Sequence, residues 1–225
     1  MPDRAVIFDL DGTLVDTAPD LMRATNHVLQ SLGRRPIDMD EVRVFVGHGA
    51  RALLTRGLAA TGGLPENYDV EPDYNRFVDF YAANIATGSA PFPGTVKLLD
   101  RLRAEGIAMG VCTNKLEGLS LRLLEELDLL PYFGSVVGPD TIGVAKPDPR
   151  PLREAVTRLG VKPERAIMVG DSETDIRTAR NAGVPVIGVP FGYTPQHVST
   201  YGPDRVVNHY DDAWPVLQEL FAQVP

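Results

Sequence analysis

The sequence has one cysteine in 225 residues, Cys112, so no disulfide can form within the chain. Basic charge is scarce too: 22 Lys and Arg stand against 30 Asp and Glu, a net charge of −8. That deficit excludes broad electrostatic capture of nucleic acid or of an anionic membrane surface, yet a local cation can still bind a small anion. No apolar run approaches the roughly 18 residues of a membrane span. The stretch after Met1-Pro2-Asp3-Arg4 is too short for a secretory signal, and the expected location is the cytoplasm. With 44% hydrophobic and 23% charged residues, the composition is that of a folded globular protein. Its length fits one large domain, or one domain carrying an insertion.

Three apolar runs end abruptly in polar residues: Ala5 to Phe8 at Asp9, Ile107 to Cys112 at Thr113, and Ala166 to Val169 at Gly170-Asp171. Such runs read as strands buried on both faces. Further short strands are expected at Ser135 to Val137, Val184 to Val189 and Arg205 to Val207. Between them lie helical patterns, Val96, Leu99 and Leu102 before Gly106, then Leu152, Ala155, Val156 and Leu159 before Gly160. Alternation of this kind predicts a three-layer, doubly wound α/β core with a parallel sheet. The stretch from Thr17 to Ala90 shows no convincing strand and three helical patterns: Leu21, Val28 and Leu32; Ala50, Leu53, Leu54 and Leu58; Phe77, Val78, Tyr81 and Ile85. It is expected to be a small helical domain, residues 17–90, inserted into a core of residues 1–16 and 91–225, with Asp16 as N-cap of its first helix. Trp214, Val216, Leu217, Leu220 and Phe221 are expected to dock the last helix, Cys112 to be core, and Arg34-Arg35 to be a solvated helix end.

Ligands of open parallel sheets bind beyond the carboxyl ends of the strands, where the polar residues cluster. Asp9 and Asp11 are two apart and point roughly the same way on an extended backbone; Asp171 and Asp175 are four apart and would share one face of a helical turn. If these ends meet, the crowded carboxylates need protons or a cation between them. No His or Cys joins the set at zinc-like spacing, so oxygen ligands point to Mg²⁺, which commonly bridges carboxylates and substrate phosphate. Thr113, Asn114 and Lys146 are phosphate ligands in type. His48 lies between Gly47 and Gly49, which let backbone approach a ligand closely, and Arg51 follows one turn later; these are candidate substrate contacts.

Four ordered segments, Asp9-Leu10-Asp11-Gly12-Thr13-Leu14-Val15-Asp16, Thr113-Asn114, Lys146-Pro147-Asp148-Pro149 and Gly170-Asp171-Ser172-Glu173-Thr174-Asp175, resemble the motifs of the haloacid dehalogenase-like hydrolases. The helical insertion, Phe45 to Arg51 and Val189 to Tyr193 are similar to the phosphoglycolate phosphatase group within it; Leu116 departs from the proline that many relatives carry. The resemblance implies a Rossmann-like core with an α-helical cap. It implies that Asp9 is the nucleophile, Asp11 the acid and base, and that Thr113, Asn114 and Lys146 bind phosphate. It also implies Mg²⁺ on the Asp9 and Asp171 carboxylates and the Asp11 carbonyl, with Asp175 supporting the metal shell or Lys146. An aspartate at position 11 suits an alkoxide leaving group, which needs a proton, and argues against dehalogenation. The expected substrate is a small phosphorylated metabolite, 2-phosphoglycolate first. Pyrophosphate, a nucleoside monophosphate or a sugar phosphate are the alternatives, as are a phosphoglucomutase-like phosphotransferase and a non-catalytic scaffold. A monomer or small homo-oligomer is expected.

Overall fold

The computed structural model describes residues 2–47 and 49–223. The chain begins with β1 (Ala5–Phe8) and a two-residue strand β2 (Val15–Asp16), followed by helices α1 (Ala18–Ser31), α2 (Met39–Phe45), α3 (Ala50–Ala60) and α4 (Glu71–Ala83). It returns through β3 (Ala90–Pro91) and continues as α5 (Thr95–Ala104), β4 (Ala108–Cys112), α6 (Glu117–Glu126), β5 (Ser135–Val137), α7 (Arg150–Arg158) and β6 (Ala166–Gly170). The remainder is α8 (Glu173–Ala182), β7 (Val186–Gly188), β8 (Arg205–Val206) and α9 (Ala213–Gln223).

Six strands form one parallel sheet in the order β5-β4-β1-β6-β7-β8. The chain leaves β1 toward β4 and β5, then jumps back across β1 to β6, which opens a crevice at the carboxyl ends of β4, β1 and β6. Register brings these ends level, since Phe8 pairs with both Val111 and Val169. The side chains of β1 alternate between two cores. Val6 and Phe8 pack with Leu99, Leu102, Leu123 and Leu217, while Ala5 and Ile7 pack with Leu152, Val156, Ile176 and Met168. Helices on both faces of a parallel sheet give the three-layer α/β architecture expected from the sequence.

Between β2 and β3 the structure has four helices where the sequence patterns indicated three. In α2 only Val42 is fully buried, so no apolar stripe announces the helix. Its start is fixed instead by a capping box, in which Asp38 accepts from the Glu41 amide and Glu41 from the Asp38 amide. The stretch is also not strand-free to its end, because β2 and β3 pair antiparallel through Val15↔Pro91 and Asp16↔Ala90. Asp20 ties the two connections together: buried in α1, its carboxylate accepts from the Gly88 and Ser89 amides and from the Ser89 hydroxyl at 2.7–3.0 Å.

Four local expectations are corrected. Thr17, not Asp16, is the N-cap of α1; Asp16 accepts from the Ala18 amide and from the Tyr193 hydroxyl. Leu32 caps the C-terminus of α1 and is 38% exposed, and Val96 is 43% exposed because α5 buries Thr95, Leu98, Leu99 and Leu102 instead. Arg34 is not a free charge but donates to the Leu58 carbonyl within α3 and to the Gly63 carbonyl just past it, and Arg35 pairs with Glu41. Cys112 is buried as expected, as are Leu217, Leu220 and Phe221 of α9. Among the described residues no helix is long and apolar enough to cross a membrane.

Candidate active site

Each nominated strand end delivers its side chain to the crevice. Asp9 follows β1, its amide bonded to the Val169 carbonyl at 2.9 Å; Thr113 follows β4, its amide bonded to the Val137 carbonyl at 3.0 Å. Asp171 follows β6. It does not share a helical face with Asp175: Asp171 precedes the N-cap Ser172, and Asp175 is the third residue of α8. Ser172 and Asp175 form a capping box whose bonds consume Asp175 Oδ2, accepting from the Ser172 amide and hydroxyl at 3.0 and 2.6 Å. That leaves Asp175 Oδ1 for Lys146 Nζ at 2.6 Å.

Lys146 is the pivot. Its side chain is 2% exposed, and its ammonium lies 2.6 Å from Asp175 and 2.8 Å from Asp9 Oδ1. Burial works against its charge, but Asp175 and Asp9 outweigh burial and raise its pKa. The Asn114 side chain turns to the same residue, accepting from the Lys146 amide at 2.9 Å and donating to its carbonyl at 3.2 Å. Thr113 is buried and accepts from the Lys115 amide.

The carboxylates of Asp9, Asp171 and Asp175 offer oxygens within 4.8 Å of one another, all buried. Burial pushes Asp9 up to about 7, Lys146 opposing and Asp175 and Asp11 adding to the rise. Burial, then Asp175 and Asp9, raises Asp171 well above the usual carboxylate range against donors from the Tyr193 amide and Thr13 hydroxyl. Such strain is relieved by a cation. The donors are all oxygen, and Asp9 Oδ1, despite its contact with Lys146, has no hydrogen bond of good geometry. Together these fit a hard divalent ion. The Asp11 carboxylate is not one of this set; both its oxygens accept from Lys115 Nζ at 2.8 Å.

Glycines make room for this arrangement. A Cβ on Gly192 would lie 2.3 Å from both Asp171 Oδ2 and the Gly12 carbonyl, which backbone cannot vacate. Gly192→Ala is therefore expected to lower stability by about 1–3 kcal/mol, the usual overpacking cost, and to weaken divalent-ion dependence in thermal melts. Gly118→Ala in α6, where nothing lies within 4 Å, should leave the ion dependence unchanged and cost no stability, since alanine is the better helix former.

Sequence reasoning missed Lys115. Its ammonium holds both Asp11 oxygens at 2.8 Å, and its side chain is 5% exposed. Burial opposes its charge, but Asp11 and Tyr81 raise its pKa. The partners are 104 positions apart, and nothing in either segment marks the pair. Thr13 and Tyr193 were also missed as donors to Asp171, although both lie in segments whose resemblance had been noted.

Above these residues helices α1, α3 and α4 border a partly open cavity of about 230 Å³. Asp9, Asp11, Thr113, Asn114, Lys115 and Lys146 line its floor; Leu21, Leu53, Phe77 and Tyr81 form the apolar wall. Gly47 and Arg51 reach it, whereas His48 lies outside the described residues. Arg51 pairs with Glu71 and stacks over Tyr74, its guanidinium carbon 4.2 Å from the ring centroid. A Cβ on Gly49 would come within 3.2 Å of the Asn114 carbonyl, so insertion and core meet closely at the floor. Leu116, at the proline position, is the N-cap of α6 with φ −54°, inside the range proline fixes, and it lines the cavity.

A model of the family described as haloacid dehalogenase-like hydrolase matches residues 6–189. A phosphoglycolate phosphatase of Caulobacter vibrioides is 48% identical over 220 residues, covering 98% of this chain and 93% of that protein. The crystal structure of a predicted phosphoglycolate phosphatase from Haemophilus somnus 129pt superimposes with a TM-score of 0.88 at 27% identity, covering 95% and 97% of the two chains. A structure of CbbY from Rhodobacter sphaeroides in complex with phosphate does so with a TM-score of 0.79 at 27% identity, covering 93% and 96%.

Proposed function

Because the chain belongs to the haloacid dehalogenase-like hydrolase family, we propose that it hydrolyses a small phosphate monoester through an aspartyl-phosphate on Asp9, with 2-phosphoglycolate as substrate. One observation carries the reading: a buried carboxylate, Asp9, sits at the switch point of the sheet, 2.8 Å from a buried ammonium, on the floor of a small cavity. The cavity, at about 230 Å³, is below the roughly 300–1,000 Å³ of pockets for drug-sized ligands, which favours a substrate of few atoms. The name of the Caulobacter relative supports phosphoglycolate among such substrates.

In this mechanism Asp9 attacks phosphorus and the alkoxide leaves with a proton from Asp11. Asp11 then draws a proton from the water that attacks the acyl phosphate, so one hard displacement becomes two easier ones. Lys146 and Thr113 hold the non-bridging oxygens in line, and Asn114 fixes the Lys146 backbone. Asp175 keeps the Lys146 ammonium in place. Mg²⁺, bound by the Asp9 and Asp171 carboxylates and the Asp11 carbonyl, would offset the repulsion between an anionic nucleophile and an anionic phosphate. Residues 17–90 act as a cap that excludes water, hinged where β2 and β3 pair and Asp20 joins the two connections. Gly47 and Arg51 border the cavity from that cap, Arg51 at its rim.

A panel of phosphate monoesters ranked by kcat/KM in Mg²⁺ tests this. Phosphoglycolate should lead pyrophosphate, a nucleoside monophosphate and a hexose phosphate, with inorganic phosphate as product. A different leader replaces the substrate and keeps the phosphatase; an isomerised sugar phosphate in place of free phosphate would establish a mutase; no turnover of any ester ends the reading.

A further inference from the structure

Lys115 and Tyr81 share one corner of the cavity and take no part in phosphoryl transfer as described above. The Lys115 ammonium has three N–H donors. The two Asp11 oxygens, each at 2.8 Å, occupy two of them, and the Tyr81 ring lies beside it with its centroid 4.6 Å from Nζ. The Tyr81 side chain belongs to α4 and is 1% exposed; its hydroxyl faces the third Lys115 N–H, and its own O–H finds no acceptor among the described residues. Buried hydroxyls are almost always paired. Here the donor borders a cavity, so the missing acceptor belongs to whatever fills it.

We propose that Lys115 and Tyr81 form a subsite for a carboxylate on the alcohol portion of the substrate, and that they select phosphate esters of small hydroxy acids over those of neutral alcohols. The proposal rests on the phosphatase reading and names the feature of the substrate that the cavity recognises. The other cations lining the cavity are otherwise engaged. Lys146 lies between Asp9 and Asp175, and Arg51 is 47% exposed at the rim, paired with Glu71. An exposed ion pair of that kind contributes little, whereas a buried ammonium acts through a medium of low dielectric. The neighbouring wall of Leu21, Leu53 and Phe77 offers no competing polar partner. The Tyr81 O–H can donate to one oxygen of a carboxylate while the Lys115 ammonium beside it balances the charge, and the small volume left beside a phosphoryl group suits an acid of two or three carbons.

The test compares 2-phosphoglycolate with 2-hydroxyethyl phosphate, which replaces the carboxylate by an uncharged alcohol. Tyr81→Phe removes only the hydroxyl and leaves the Lys115–Asp11 pair. It should lower the ratio of the two kcat/KM values about tenfold, mainly through KM for phosphoglycolate. Lys115→Met should lower the ratio further while also slowing both esters, because Asp11 loses its partner; melting temperatures verify that both variants fold. An unchanged ratio in Tyr81→Phe, or equal losses on both esters in Lys115→Met, overturns the subsite. Wild-type protein that hydrolyses hydroxyethyl phosphate as well as phosphoglycolate also overturns it and keeps the phosphatase. Wild-type protein that hydrolyses neither ester overturns both.

Discussion

Asp9→Asn should reduce phosphate release on the order of 10⁴-fold or more, as loss of a covalent nucleophile does, in a protein that still folds. Asparagine keeps the size of the side chain and cannot form an acyl phosphate. The fold should tolerate the change because Lys146 keeps a second carboxylate, Asp175, at 2.6 Å, so no buried charge is left alone. The variant also removes the carboxylate that burial pushes up to about 7, which relieves repulsion with Asp171 and Asp175. Parallel measurements decide the matter: steady-state phosphate release, a thermal melt, and mass spectrometry of acid-quenched wild-type enzyme for a phosphoryl group on the Asp9 peptide. Turnover retained in Asp9→Asn would remove Asp9 as nucleophile whatever the melt shows.

Elements that bury an unbroken apolar run were legible in the sequence, because a strand covered on both faces leaves a signal that needs no partner to be read. The strand β1 has the bounds expected of it, and β4 and β6 differ from expectation by a residue. Elements fixed by a few polar contacts were not legible in the same way. The helix α2 has one fully buried side chain, and its only announcement is the Asp38 and Glu41 capping pair. The two-residue strands β2 and β3 exist because residues 74 and 76 apart in sequence are brought together, which no local pattern records. The site divides along the same line. Asp9, Thr113 and Asp171 stand at strand ends and could be found by position. Lys115 sits in an equally visible loop, yet its importance lies in meeting Asp11 under Tyr81, and that encounter depends on how the insertion closes over the core.

Metal-free protein should be more stable near pH 5 than near pH 8, and Mg²⁺ should reverse that order while restoring an activity that chelation abolishes. The sign follows from linkage. Burial raises Asp9 from the usual 3.8 to about 7, with Asp171 shifted in the same direction by burial and by its acidic neighbours. Between these values the folded state holds protons that the unfolded state has released. Stability is therefore full below about pH 4 and falls as pH rises through 7. A shift of that size corresponds to at most about 4 kcal/mol for Asp9 alone. Glu41 and Asp148 are shifted downward, mainly by Arg35 and by Arg150; they lose stability only as pH falls through the ordinary carboxylate range, outside this window. The raised pKa values of Lys146 and Lys115 act at alkaline pH. A divalent ion binds the deprotonated carboxylates and displaces their protons, so its stabilisation grows with pH where the apo form weakens. Melts in chelator and in saturating Mg²⁺ at pH 5 and 8 give four temperatures. A chelated protein that melts higher at pH 8, or a melt at pH 8 that Mg²⁺ does not move, would contradict the assignment of a cation to Asp9 and Asp171.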